Sequence, residues 1–218
     1  TGVCVVLVEP SAERTFVTTQ GAERQITVQS LAASNPEPGD LVCVSGYSLV
    51  GRTRDPLVEW LDTLADGVVV VLDPGATFAG LAEPLRDRVL ARTDVWTGNA
   101  DEAAALTGVR GMREAAEVVA TLLAPDAVTI VRDGARGCAV RESGRTTHCP
   151  GHPQRPVDTN GAGDTHTGVL LAERATGASW PEAAARANTA GAIKVTRRGP
   201  DTAPTRAEID AFLAALPR

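Results

Sequence analysis

The chain has 218 residues and a mass of 22.6 kDa, with 43% hydrophobic and 22% charged residues. This size fits one large domain or two small ones, and the composition excludes a disordered chain, a collagen and a coiled coil. The formal net charge of −6 disfavours a surface for nucleic acid or an anionic membrane. The sequence contains neither an apolar run of about 18 residues nor a leader-like start, so we expect a cytoplasmic protein. The cysteines are dispersed, which predicts reduced thiols rather than a disulfide scaffold or zinc site. They are Cys4, Cys43, Cys138 and Cys149.

Strand-like segments dominate the first part of the chain. An unbroken apolar run at 3–8 and a second short run at 14–18 flank a turn-like Glu9-Pro10-Ser11, which predicts a hairpin. After a polar, proline-rich stretch, residues 41–45 form a candidate for a short buried strand.

The middle of the chain alternates between two patterns. Runs rich in β-branched residues predict strands at 67–72, 95–97 and 127–131. Helix-like segments occur at 56–65, 79–90, 101–107 and 113–123. This alternation is typical of βαβ units in a parallel sheet. Further short strands at 138–141 and 146–149 predict a β-rich edge.

The last third is predicted to be helical, and two helix starts are marked by capping boxes. Ser179 is followed by a first-turn proline and by Glu182, and Thr205 is followed by Glu208. The sequence therefore predicts one α/β domain over residues 1–218.

The stretch Asp158-Thr159-Asn160-Gly161-Ala162-Gly163-Asp164 carries the strongest chemical signal. Two glycines around one small residue allow a tight turn, and an amphipathic helix follows at once. Such a turn presents unpaired N–H groups and the positive end of the helix dipole to an anion. A carboxylate in the first helical turn is also what phosphoryl transfer to an alcohol requires. Spacing alone supports equally a capped helix start in which Asp164 only complements the dipole.

This motif resembles the second signature of the PfkB, or ribokinase-like, family of carbohydrate kinases, with Asn160 in place of the usual threonine. Three further segments resemble the family's motifs in the same order. They are TGNADEAAALTG (97–108), IVRDGARG (130–137) and ANTAGAIKVTRRGP (187–200). Residues 2–22 look like strands that return from the family's lid, so the resemblance covers nearly the whole chain.

The resemblance implies a ribokinase-like α/β fold: a doubly wound, mostly parallel sheet flanked by helices. Residues 1–30 would be remnant β lid strands, and residues 41–218 the core. The implied activity is the phosphorylation of a hydroxyl of a sugar or sugar-like substrate by ATP with Mg²⁺.

The resemblance also implies site residues. Asp164 would be the catalytic base, with Gly161, Ala162 and Gly163 as the anion hole. Nucleotide binding would involve Arg132, Gly134, Gly137 and Asn188. Asn99 and Glu102 would position magnesium, partly through water. A monovalent cation such as K⁺ would bind at Asp158 and the Gly199 turn.

Several of these residues have a purely structural alternative. Asn99 and Glu102 also form a good capping box. Arg132 replaces a family threonine that meets the phosphates, so it either reaches the same oxygens or is exposed. The His148–His152 segment is expected to be an exposed strand end rather than a metal site. His166 lies two residues after Asp164, about 200° around a helix, and is therefore expected to face away from the active site.

The start of the chain departs from the family. The chain begins at Thr1, without a methionine, and family members place a core strand and a glycine-rich sugar segment before this point. We therefore expect a chain that lacks the family's N-terminal portion. This leaves open a nucleotide-binding module without kinase turnover. A related kinase of a vitamin precursor's hydroxymethyl group is disfavoured by the DTNGAGD sequence. The acceptor sugar is not determined, and lid pairing in many relatives allows a homodimer.

Overall fold

The computed structural model describes residues 1–8 and 14–216. Within them the strands are β1 Cys4–Val8, β2 Arg14–Thr18, β3 Leu41–Ser45, β4 Val69–Asp73, β5 Val95–Asn99, β6 Val128–Arg132, β7 Gly137–Glu142 and β8 Arg145–Pro150. The helices are α1 Val28–Ala32, α2 Arg54–Leu61, α3 Glu83–Ala91, α4 Ala100–Thr107, α5 Met112–Ala120, α6 Ala162–Ala175, α7 Trp180–Lys194 and α8 Arg206–Ala214. The predicted elements are all present, with ends shifted by a few residues, whereas α1 was not predicted.

The central sheet has the strand order β3-β4-β5-β6-β7-β8. The first four strands run parallel, and β7 and β8 are added antiparallel as the predicted β-rich edge. Parallel strands need a crossover between them, and helices α2 to α5 provide these connections. Because parallel strands end at the same edge of the sheet, Asp73, Asn99 and Arg132 are brought to one edge.

Helices cover both faces of this sheet. On β4, Val70 and Leu72 face a core that includes Leu57, Leu61 and Val119 of the crossover helices. Val71 faces the opposite core, which contains Leu170 of α6 and Ala187 of α7 together with Ile130. Burial on both faces explains the near-continuous apolar strand sequences. The predicted α/β fold with a mostly parallel sheet flanked by helices is confirmed.

The β1–β2 pair forms a separate two-stranded antiparallel sheet, with Val5 opposite Val17 and Val6 opposite Phe16. The predicted pairing is thus confirmed, while the predicted turn at 9–11 lies outside the described residues. Four apolar side chains of this pair are more than half exposed: Val5, Leu7, Phe16 and Val17.

The described helices were compared with the length and composition of a membrane-spanning helix. None of those in 1–8 and 14–216 combines the length and the apolar composition that would carry it across a bilayer.

Candidate active site

The predicted glycine-rich turn leads directly into α6. Gly161 is the N-cap in the left-handed region (φ +76°), where a side chain would be strained, and α6 begins at Ala162. The Asn160 N–H donates to Asp158 Oδ1 (2.8 Å), and the Ala162 N–H donates to the Thr159 carbonyl (3.2 Å). The N–H groups of Gly163 and Asp164 follow in the first turn, where no intrahelical acceptor is available.

Asp164 is solvent-exposed and lines a cleft of about 430 Å³. Ala162 and Gly163 line the same cleft, whereas Gly161 lies behind it, beside Pro200 and Lys194. The cleft therefore admits a ligand to the α6 N-terminus and to the Asp164 carboxylate together. Of the three predicted anion-hole residues, Gly163 has the amide best placed to meet an anion, because that of Ala162 already has an acceptor.

Arg132 ends β6 and lies beneath the α6 N-terminus, with about a tenth of its side chain exposed. Its Nη1 donates to the Gly163 carbonyl (2.9 Å) and to Thr167 Oγ1 (3.2 Å). Its Nη2 lies 3.3 Å from both carboxylate oxygens of Asp73, and Thr167 also donates to Asp73 Oδ2 (2.8 Å). Arg132 therefore ties the start of α6 to the strand ends of the sheet, and its side chain also lines the cleft.

Asn99 and Glu102 form the capping box that the sequence predicts at the start of α4. Asn99 Oδ1 accepts from the Glu102 N–H (2.9 Å), and Glu102 Oε2 accepts from the Asn99 N–H (2.7 Å). Burial raises the pKa of the Glu102 carboxyl, which lies 3.9 Å from Arg132 Nη2. Both residues line the cleft, so hard oxygen donors face the same space as Asp164, and such donors suit Mg²⁺.

Gly134 and Gly137 line the end of the cleft that the β6–β7 connection forms. Gly137 (φ +91°) is required by close packing, because a Cβ there would lie 2.1 Å from the Cys149 carbonyl oxygen. A Cβ on Gly134 (φ +52°) would meet nothing within 4 Å, so that position is open towards a ligand.

Asn188 lines the same end, but its amide is fully engaged by the protein. Its Nδ2 donates to the carbonyls of Cys149 (2.9 Å) and Pro150 (3.2 Å). Its Oδ1 therefore faces His166 Nε2 (3.1 Å), which must carry the ring proton. Asn188 and His166 thus form a preformed wall of the cleft, the His166–Asn188 wall.

His166 lines the cleft from its buried side, so the expectation that it faces away from the active site is wrong. The 200° rotation separates the Asp164 and His166 side chains around α6, but the cleft wraps around the helix start and reaches both. Burial, together with the positive charge of Arg132, lowers the pKa of His166 to about 3. The imidazole is therefore neutral at physiological pH.

A model of the family described as pfkB family carbohydrate kinase matches residues 1–206 of the chain. The chain belongs to this family. It is 35% identical over 214 residues to a protein of Escherichia coli (strain K12) named as the uncharacterized sugar kinase YegV. It is 30% identical over 221 residues to a ribokinase of Haemophilus influenzae.

These matches cover 95% and 98% of the chain but 65% and 69% of the relatives, so the chain spans about two thirds of their length. Among solved structures, a putative ribokinase II from E. coli in complex with ATP and Mg²⁺ has a TM-score of 0.82 at 25% identity. That match covers 97% of this chain and 70% of the other. The predicted family is thereby confirmed.

The family resemblance places a monovalent cation at Asp158 and the Gly199 turn, but the residues there do not fit one. The Asp158 carboxylate accepts from the N–H groups of Asn160 and Gly199 (2.8 and 3.0 Å). The ammonium of Lys194 lies against the carbonyl oxygens of Asp158 and Arg197. The Lys194 ammonium therefore lies beside the residues to which the resemblance assigns the cation.

The possible metal ligands in His148–His152 have separate partners in the described structure. His148 Nε2 lies 3.0 Å from the Arg136 carbonyl, and the His152 ring packs edge-on against Phe212 (5.3 Å between centroids). Cys149 is buried opposite Cys138 in the β7–β8 pair.

Sequence reasoning missed three residues of the site. Asp73 and Thr167, the partners of Arg132, lie 59 and 35 residues from it in the chain, and Tyr47 lines the cleft near Gly75. Asp73 ends β4 in the segment LDPG, and nothing in that segment indicates its partner. Nothing in the local sequence distinguishes Tyr47 or Thr167.

Proposed function

We propose that this chain provides the phosphoryl-transfer site of a kinase that moves the γ-phosphoryl group of ATP to a hydroxyl of a sugar or sugar-like acceptor. The observation that carries the proposal is the exposed carboxylate of Asp164 in the first turn of α6, in the cleft that Gly163 also lines. Membership of the pfkB family and the names of the relatives, a sugar kinase and a ribokinase, support the same reaction.

In this proposal the α6 N-terminus binds the phosphoryl group during transfer. The Gly163 and Asp164 N–H groups and the helix dipole stabilise its negative charge. Arg132 adds a fixed positive charge beneath them and holds the Gly163 carbonyl, so the turn does not need to reorganise as charge develops. We therefore assign Arg132 to positioning the anion hole, with its charge in the cleft wall next to the phosphates.

Asp164 acts as the base. Its carboxylate orients the acceptor hydroxyl and accepts the proton as oxygen attacks phosphorus and the bond to the ADP oxygen breaks. Its exposure within the cleft supports this role, because a carboxylate buried among apolar side chains could not reach an acceptor.

The nucleotide lies towards Gly134, Gly137 and the His166–Asn188 wall in this proposal, which leaves the Tyr47 and Asp73 end for the acceptor. Asn99 and Glu102 would hold Mg²⁺, which supplies charge neutralisation on the phosphates when bound. The ATP and Mg²⁺ bound to the E. coli relative support this pair of ligands.

The test is sugar-dependent ADP release by the 218-residue chain, measured over a panel of sugars and nucleosides with ATP and Mg²⁺. We expect Asp164→Asn to lower kcat for the best acceptor by about 10²- to 10⁴-fold, the range for a general base, with little change in ATP affinity. A matched control is Asp55→Asn, which removes an exposed first-turn carboxylate from α2, away from the cleft.

Each outcome separates two functions. An Asp164→Asn variant that folds and keeps activity within tenfold of wild type removes Asp164 as the base. A wild-type chain that binds ATP by calorimetry but releases no ADP with any acceptor is a nucleotide-binding module, and the kinase proposal for this chain then fails.

A further inference from the structure

Lys194 is the only lysine among 21 basic residues, and its side chain is fully buried (0% exposed). Lysine is almost never fully buried unless its charge is compensated, because an ammonium group that leaves water loses a large solvation energy. All other basic residues of the chain are arginines. The buried lysine therefore indicates a site that suits a compact ammonium group better than a planar guanidinium group.

The ammonium of Lys194 lies between two segments of the active site. Its Nζ is 3.4 Å from the Asp158 carbonyl oxygen and 3.5 Å from the Arg197 carbonyl oxygen. Asp158 begins the loop that leads into the anion-hole turn, and Arg197 belongs to the turn after α7. These two distances are long for hydrogen bonds. They are expected when one ammonium group is shared between two carbonyl oxygens instead of forming a short bond to one of them.

The same two segments are joined by other contacts around this charge. The N–H groups of Val157 and Asp158 donate to the Val195 carbonyl (2.7 and 3.1 Å), and the Asp158 carboxylate bridges to the Gly199 N–H (3.0 Å). Lys194 is also the last residue of α7, where the helix dipole favours a cation.

The Lys194 side chain reaches the anion hole itself. A Cβ on Gly161, the N-cap of α6, would lie 3.6 Å from Lys194 Cε. The methylene groups of Lys194 thus support the turn from behind, while its charge holds the backbone on either side.

We infer that the Lys194 ammonium is a built-in cation that replaces a bound monovalent ion at this position. Carbonyl oxygens gathered around one charge are how proteins replace the hydration shell of K⁺. An ammonium group carries the same charge in a similar volume, and two cations in one buried space would repel each other. The anion-hole turn of this chain is therefore held in place without K⁺.

The test compares thermal unfolding in KCl, NaCl and tetramethylammonium chloride at equal concentration. We expect the wild-type Tm to be the same in the three salts. In Lys194→Ala the ammonium is lost and a cavity of ionic size remains, so the Tm falls and recovers selectively in KCl, by roughly 5 °C if K⁺ is well above its Kd. Lys194→Met fills that cavity without charge, and its lowered Tm should not depend on the salt.

A wild-type Tm that rises selectively in KCl would overturn the inference, and so would a Lys194→Ala variant as stable as wild type in every salt. If the variants do not fold, the wild-type salt comparison still decides. A second wild-type measurement is reductive methylation: the single lysine should stay unmodified in the native chain while the N-terminal amine reacts. Lysine modified at the rate of an exposed amine would contradict its role. No readout needs turnover, so these results are separate from the fate of the proposed kinase activity.

Discussion

The β1–β2 hairpin and the central sheet are both built from β-branched and apolar residues, but their side chains have opposite surroundings. Val5 and Phe16 in the hairpin are each 52% exposed, whereas Val71 and Ile130 in the central sheet are 0% exposed. An apolar run thus predicts a strand without predicting what covers it. The central sheet has helices on both faces and a network at its carboxyl edge, while the hairpin relies on the pairing of its two strands, which is marginal by itself.

Among substitutions of charged and titrating residues, the largest effect should come from Arg132→Met, which leaves Asp73 partly buried without its counter-charge. Removing one partner of a buried ion pair costs about 3 to 5 kcal/mol, measured as the free energy of unfolding in urea. The matched control is Arg136→Met, four residues away, which removes an arginine that is 75% exposed and paired with Asp133. An exposed pair contributes under about 1 kcal/mol.

A double variant sharpens this comparison. Adding Asp73→Asn to Arg132→Met removes the uncompensated charge and should restore part of the lost stability. Equal costs for Arg132→Met and Arg136→Met would mean that the network at the sheet edge is no stronger than a surface ion pair.

An intermediate effect is expected from pH through His166. Its pKa of about 3 in the folded chain is below the value near 6.5 of an unfolded histidine, so the unfolded state binds the proton first as pH falls. The contribution of neutral His166 to the free energy of unfolding is therefore fully present above about pH 6.5 and is lost as the pH falls towards 3. At pH 5 the loss from this residue is about 2 kcal/mol.

The measurement is urea unfolding of wild type and His166→Gln at pH 7 and pH 5. Glutamine can still donate to Asn188 Oδ1 but does not titrate. The free energy of unfolding of the variant should therefore fall between pH 7 and pH 5 by about 2 kcal/mol less than that of wild type. The matched control is His148→Gln, at an exposed histidine of the same chain. A His166→Gln variant with an unchanged slope would contradict a buried, neutral imidazole.

The smallest effect belongs to the hairpin. Phe16→Ala removes a ring that is already half in water and should cost less than about 1 kcal/mol, mostly from its cross-strand pair with Val6. Phe78→Ala, at a phenylalanine that is 1% exposed, should cost about 3 to 5 kcal/mol in the same assay. Similar costs at the two positions would show that Phe16 is covered in solution.

The sequence predicted those parts of the fold and site that depend on neighbours along the chain. The Gly161–Gly163 turn and its helix follow from local conformational freedom, and the capping boxes at Asn99, Ser179 and Thr205 follow from spacing. Partners distant in the chain were not predictable. Nothing near Arg132 in sequence indicates that it would be buried against Asp73.

Whether a single side chain lines the cleft also depends on the shape of the cleft. A rotation angle around α6 could not place His166, because the cleft extends around the helix start. The sequence shows Lys194 only as the single lysine of the chain, and its role depends on two carbonyl groups that its own helix does not contain.

The strand order of the central sheet has a consequence for how the molecule is assembled. Each strand from β4 to β8 pairs with the strand that precedes it in the chain, so every pairing of the central sheet joins strands that are neighbours in sequence order. Helices α6 and α7, which pack on the second face, follow the six described strands of this sheet in the chain and leave the ribosome after them. The lining of the cleft extends to Val195, so the cleft with Asp164 cannot be complete until α7 has been synthesised.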